Sequence, residues 1–150
     1  MQPELEIRQA TIADLATIAS LFDAYRQFYR QPSDVEGARR FLRDRFERNE
    51  SIIFLASTAS RAIGFTQLYP TFSSGSMRPI LVLNDLYVAP EARGRGVGAA
   101  LLTAAAGYGR QNGAARLSLQ TELTNTTAQA LYERMGWKRD TVFCTYQLAL

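Results

Sequence analysis

Two arginines and three glycines fall within the six residues Arg93-Gly94-Arg95-Gly96-Val97-Gly98, between the strand-like Asp85-Leu86-Tyr87-Val88 and an apolar-periodic stretch. A strand that turns through glycines into a helix is suited to phosphate. Glycine lets backbone N–H groups converge on an anion, the helix N-terminus adds about half a positive charge, and Arg93 and Arg95 add whole ones. A pyrophosphate is the natural guest, and a tight surface turn is the plain alternative. The groups that could move protons are fewer. The chain has no histidine and one cysteine, Cys144, so a Cys-His nucleophile, a histidine base and a Cys/His zinc site are excluded. Acid and base work falls to Asp, Glu, Tyr, Lys or water, and no metal is expected.

These residues must be positioned by ordinary elements. Leu5, Ile7 and Gln9 alternate with Glu6 and Arg8 as a first strand before the capping-box start Thr11-Ile12-Ala13-Asp14. Leu15, Ile18, Phe22, Tyr25 and Tyr29 recur at helical spacing, and Gln31-Pro32 ends that helix. Ser33 and Glu36 predict a second capping box, followed by Val35, Ala38, Leu42 and Phe46 as a buried stripe; Arg39, Arg40, Arg43 and Arg48 read as a solvated face. Residues 51–56 and 62–69 read as a hairpin turning at Ala59-Ser60-Arg61, residues 71–79 as a loop, and residues 80–89 as a central strand. A helix follows from Val97 to about Gln111, then a strand through Leu117 and Leu119, a short helix through Ala128, Leu131, Tyr132 and Met135 closed by Gly136, and an alternating stretch Val142 to Leu148. The order is β-α-α-β-β-β-loop-α-β-α-β, without repeat or linker, and one domain over residues 1–150 is expected.

Composition agrees with one self-sufficient core: 47% hydrophobic, 21% charged and 11% aromatic. No apolar run approaches the roughly 18 residues of a membrane span, and Met1-Gln2-Pro3-Glu4 lacks the pattern of a secretory signal, so a cytoplasmic location is expected. A net charge of +3 is too small to argue for nucleic acid.

Arg93-x-x-Gly96-x-Gly98, after a strand ending Leu-Tyr-Val-x-Pro-Glu, resembles the Arg/Gln-x-x-Gly-x-Gly/Ala signature of the GNAT N-acetyltransferases. A second block agrees: Asn125, Ala128, Ala130, Leu131-Tyr132-Glu133 and Gly136-Trp137 are similar to the family's Asn...Ala...Leu-Tyr-Glu...Gly-Phe. The resemblance covers the whole chain in element order, with its specific motifs between residues 80 and 137. It implies an α/β (α+β) fold with a mixed central sheet of about six to seven strands flanked by about four helices. The sheet would be splayed between strands 80–89 and 115–121. Acetyl-CoA would be the cosubstrate, held by Arg93, Gly94, Arg95, Gly96, Val97, Gly98 and Ala99 at its pyrophosphate and by backbone groups of Leu86, Tyr87 and Val88 along its pantetheine arm, with Asn125, Ala128 and Tyr132 beside it.

The chemistry so implied is direct attack of a neutral amine on a thioester, which needs a proton acceptor, an oxyanion donor and an acid for the leaving thiolate. The family places a tyrosine at Tyr132 as that acid. Val82 and Gln120 stand where histone-acetylating and peptide N-terminus-acetylating members carry a glutamate, which counts against both substrate classes. Asn84-Asp85 resembles the Glu-Asp pair of polyamine-acetylating members, with Asn84 in place of the acid. Asp85 is thus the expected proton acceptor and ammonium anchor, with Glu122 second, and a small amine or polyamine-like molecule the expected acceptor. Tyr25, Tyr29, Tyr69, Phe72, Asn84 and Asp85 are the expected acceptor lining, where aromatic faces suit an ammonium. The resemblance also makes a homodimer possible, paired through Val142 to Leu148. Two other readings stand beside this one: a non-catalytic CoA-binding sensor or interaction module, and a dinucleotide-binding module in which Gly94-x-Gly96-x-x-Ala99 is the fingerprint and Glu122 the ribose ligand.

Overall fold

The computed structural model describes residues 3–150, so the reading of Met1 and Gln2 as part of a leaderless start lies outside the described residues. The chain divides into two units, one running to Gln120 and the other spanning Thr121–Leu150. The first holds β1 (Leu5–Gln9), α1 (Leu15–Phe28), α2 (Val35–Glu47), β2 (Ile52–Thr58), β3 (Arg61–Ser73), β4 (Arg78–Val88), α3 (Val97–Gln111) and β5 (Leu117–Ser118). The second holds α4 (Thr126–Arg134). The strands form one mixed sheet in the order β1-β2-β3-β4-β5, antiparallel except for the parallel β4–β5 pair.

Alternation along the strands feeds two cores. On one face Leu55, Phe65 and Tyr87 pack with Ile18, Phe22 and Leu42 of α1 and α2. On the other, Ala56 and Ile63, with half-buried Leu86 and Val88, pack with Val97 and Leu101 of α3. Consecutive residues of β4 therefore serve opposite layers, and that parity decides where each functional side chain goes.

Three expectations change. The predicted loop over residues 71–79 is mostly strand: pairing continues to Phe72↔Pro79 and Ser73↔Arg78, leaving only a tight turn that Met77 closes in left-handed geometry (φ 50°). The second helix is capped by Asp34, whose side chain accepts from Gly37 N at 2.9 Å, while Ser33 donates to Asp23 at 2.7 Å instead of building the expected capping box. Among the described residues the sheet has five strands rather than six to seven, because Val142 to Leu148 forms no strand: alternation supplies a face, not a ladder partner, and Val142, Phe143, Tyr146 and Leu148 stay exposed. The Ala59-Ser60 turn joins β2 to β3 as expected, with both residues at positive φ (48° and 62°) as a two-residue hairpin turn requires.

Candidate functional site

The register of β3 on β4 slips by one residue in the middle of the sheet. Gln67 pairs with Asp85, yet Leu68 pairs with Leu83, so Asn84 is an extra residue with no partner in the ladder. Such a bulge re-aims the side chains beside it. Asp85 is 2% exposed on the α1 side, where its Oδ2 accepts from Gln67 Nε2 at 2.7 Å and its Oδ1 from Asn84 Nδ2 at 3.2 Å. The Tyr25 hydroxyl donates to the Asn84 carbonyl at 3.3 Å and also supports the Asp85 carboxylate. Burial pushes the Asp85 carboxyl above the ordinary aspartate range, against the pull of the Gln67, Tyr25 and Asn84 donors. Burial, reinforced by the charge of Asp85, pushes the Tyr69 phenol up as well, so Tyr69 remains a proton donor at neutral pH. A desolvated carboxylate with a raised pKa, ringed by neutral donors, is equipped to take a proton from an ammonium.

Beside this acid the sheet opens. Ladder pairing of β4 with β5 covers only Leu81↔Leu117 and Val82↔Ser118, and from Leu83 to Val88 β4 has no strand on that side among the described residues. Ala89 N donates to Ile63 O at 2.8 Å, so, counting back in twos, the peptide groups of Tyr87 and Asp85 face β3, whereas those of Leu86 and Val88 face the open edge. The expected backbone contacts thus narrow to Leu86 and Val88. Tyr87 serves the other layer, its ring packed on Phe65 and Tyr25. Arg93 Nε donates to Val88 O at 2.9 Å, with its guanidinium 5.3 Å from the Phe28 ring.

The loop then meets α3. Gly94 (φ 76°) and Gly96 (φ 79°) both adopt left-handed backbone, and Gly96 caps α3 without a side chain. The first N–H groups of the helix, at Val97, Gly98 and Ala99, are thereby left to an anion. Arg95 is exposed beside them. Open edge and uncapped helix start are what a diphosphate carrying an amide-containing arm requires, so the residues present fit coenzyme A.

The remaining predicted residues separate. Tyr25 and Tyr29 form an edge-to-face pair, 5.0 Å between centroids, at the end of α1. Tyr69 lines an open groove of about 520 Å³ with Phe41, Arg45, Asn49, Glu50 and Pro70. Phe72 does not join them: it lies toward the β3–β4 turn, 79% exposed, and does not line the groove. In the second unit, Asn125 caps α4 by accepting from Ala128 N at 3.1 Å, as its sequence position predicts. Tyr132 is half-buried on α4, its ring 6.1 Å from that of Trp137, and Glu122 is exposed ahead of the helix. Gln67 escaped sequence reading, although a polar residue two on from Phe65 in an otherwise apolar strand was its signal. So did Arg45 and Phe41, whose spacing of four residues on α2 marks a common face.

The sheet also removes the dinucleotide alternative, since the strands before the glycine loop pair antiparallel throughout and only β4–β5 is parallel. Comparison with known proteins points elsewhere. The profile of the acetyltransferase (GNAT) family matches residues 18–137, across both units. YhfO, an uncharacterized N-acetyltransferase of Bacillus subtilis (strain 168), is 54% identical over 144 residues, 96% of this chain and 97% of its own. The crystal structure of a probable acetyltransferase superposes with a TM-score of 0.92 at 42% identity over 97% of each chain. An aminoglycoside N-acetyltransferase in complex with CoA shares the fold, with a TM-score of 0.81 at 21% identity over 100% of this chain and 98% of its own.

Proposed function

The chain belongs to the acetyltransferase (GNAT) family, and on that premise we propose that it acetylates a small primary amine, polyamine-like molecules included, by direct attack within a ternary complex. When bound, acetyl-CoA supplies a thioester whose acyl carbon gains the bond to nitrogen as the bond to sulfur breaks. Leu86 and Val88 would hold its pantetheine arm through their open-edge peptide groups, and Arg93 through Ala99 its diphosphate. The observation that carries the reading is the buried carboxylate of Asp85, one residue before Leu86 within the stretch of β4 left unpaired on the β5 side.

Asp85 accepts a proton from the incoming ammonium, directly or through water, and leaves the nitrogen lone pair free to attack. Its raised pKa suits the task, because a base works best when its pKa lies near the working pH. Asn84 and Tyr25 orient it. Tyr132, by its place in the family motif, returns a proton to the leaving thiolate, with Asn125 and Ala128 beside the arm; Glu122 is the second candidate base. Residues 1–150 act as one catalytic domain in this reading, supported by the family match across both units. A cytoplasmic location and a homodimer joined through the exposed tail Val142 to Leu148 belong to the same proposal, and a monomeric mass at micromolar concentration would remove the dimer.

Calorimetric titration with acetyl-CoA, against NADH as matched control, tests the cosubstrate: acetyl-CoA alone is expected to bind. Tyr132→Phe then tests the enzyme, with turnover expected to fall substantially while cofactor affinity holds. A wild type that binds acetyl-CoA yet acetylates no amine would instead mark a sensor.

A further inference from the structure

The groove beside β3 carries a charge pattern that proton transfer at Asp85 does not use. Phe41 and Arg45 form its α2 wall, Asn49 and Glu50 come from the turn that ends the helix, and Tyr69 and Pro70 from β3. At about 520 Å³ it is of small-molecule size. Arg45 is fixed there on two sides. Its guanidinium lies 4.6 Å from the centre of the Phe41 ring, and its Nε donates to Glu50 Oε1 at 3.0 Å. Glu50 is itself set by the backbone: Asn49 takes left-handed geometry (φ 52°) and Glu50 N donates to Arg45 O at 2.9 Å. The side chain of Arg45 is only 21% exposed, and its terminal nitrogens take no protein hydrogen bond among the described residues. A guanidinium held on its face by a ring and at Nε by a carboxylate offers its remaining N–H pair to another planar anion.

Tyr69 ties this cation to the proposed base: it lines the groove with Arg45 and stands two residues from Gln67 on the same face of β3, and Gln67 donates to Asp85 at 2.7 Å. On that face of β3 a carboxylate therefore lies on the Gln67 side of Tyr69 and an immobilised cation on its groove side. We propose that the acceptor is a primary amine that also carries a carboxylate, an amino acid or a close analogue, and that Arg45 selects it by binding that carboxylate while Asp85 receives the ammonium. The proposal rests on the reading of Asp85 given above and narrows its acceptor class, setting the polyamine-like molecules aside. A diamine of similar length would bring its second cation against Arg45 and is discriminated against by like charge.

Matched acceptors test this. Glycine, β-alanine and γ-aminobutyrate are each assayed beside the corresponding amide, with putrescine as the diamine, by thiol release from acetyl-CoA. The acid is expected to exceed its amide in kcat/KM by about 10- to 100-fold, mostly through KM, as one charge-assisted contact supplies. Arg45→Gln is expected to bring that ratio close to one, and Arg45→Lys, which keeps the charge without the fork, to an intermediate value. Thermal melts establish that each variant is folded. Amides or putrescine acetylated as well as the acids, or an acid-to-amide ratio that survives Arg45→Gln, would overturn the proposal. If no amine is acetylated, the transfer reading fails, and the Arg45 site is judged separately by titrating the same acids and amides into wild type and Arg45→Gln with coenzyme A present. Carboxylate-dependent binding lost in the variant upholds the site, and its absence from the wild type refutes it.

Discussion

Replacing Asp85 by asparagine keeps the shape of the side chain and removes its charge, which pulls stability and activity in opposite directions. The carboxylate is 2% exposed and meets N–H donors from Gln67 at 2.7 Å on Oδ2 and Asn84 at 3.2 Å on Oδ1. Asparagine brings a donor to one of these positions. Gln67 can turn its amide over without losing a bond, because its Oε1 has no partner, and so offers the new N–H an acceptor. Since folding raises the Asp85 pKa, the native protein binds more protons than the unfolded chain above the reference value of 3.8, and stability falls as pH rises from there through the folded value. Asp85→Asn escapes that loss. It should match the wild type at acid pH and melt higher at pH 8. Turnover should fall by about 10²–10⁴-fold, the usual share of a general base, which is roughly 3–5 kcal/mol of barrier. Thiol release between pH 5 and 9, beside melts at the same pH values, measures both, and the acid limb of the wild-type kcat/KM profile should vanish in the variant. A variant within tenfold of wild-type kcat/KM, or one that melts lower at pH 8, would refute the argument and make Asp85 a structural anchor.

Gly96→Ala forces an alanine to φ 79° at the cap of α3, where an added Cβ meets nothing within 4 Å. The cost is conformational, about 1–2 kcal/mol, and acetyl-CoA affinity should fall as well because alanine disfavours the left-handed cap that leaves the helix N–H groups open; denaturation and calorimetry read the two effects. Gly64→Ala is a packing test, since its Cβ would sit 2.7 Å from Tyr87 O on the neighbouring strand, and a loss of roughly 1–3 kcal/mol in urea denaturation is expected. Asp23, 4% exposed, accepts from Asp34 N and Ser33 Oγ at 2.7 Å each and from Gln27 at 3.0 Å. Burial opposes its charge, but these donors and Arg26 prevail and lower its pKa, so its contribution is present above the reference value of 3.8 and lost as pH falls through the folded value. Asp23→Asn should cost about 1–3 kcal/mol near neutrality and flatten stability against pH on the acid side, as melts between pH 2 and 7 would show.

The helices were legible because each carries a long apolar stripe, and the anion loop because Arg93 to Gly98 combines residue types that few other settings need. The parting of β4 from β5 followed from the family pattern. What sequence could not supply was parity. Nothing in Leu83-Asn84-Asp85 announces a bulge, and nothing in Leu86-Tyr87-Val88 says which peptide groups a neighbouring strand takes, when only the first and last face the open edge. Residues 71–79 read as loop because Ser, Gly and Pro dominate them, yet ladder bonds continued from the buried half of β3 and β4 override local preference. Arg45 was invisible for a related reason: among the arginines of α2, only contact with Phe41 and Glu50 distinguishes the one that lines the groove.

The β2–β3 turn holds a reserve for change. Ala59 and Ser60 both sit at positive φ, where a side chain costs about 1–2 kcal/mol per residue and where Asn-Gly is the favoured pair. Exchanging them would release part of that strain in a turn that takes no part in the proposed chemistry. A lineage drifting toward new acceptors must alter residues such as Phe41, Arg45 and Tyr69, and most such exchanges weaken the fold. Stabilising this hairpin first would widen the set of grooves the protein can explore while staying folded.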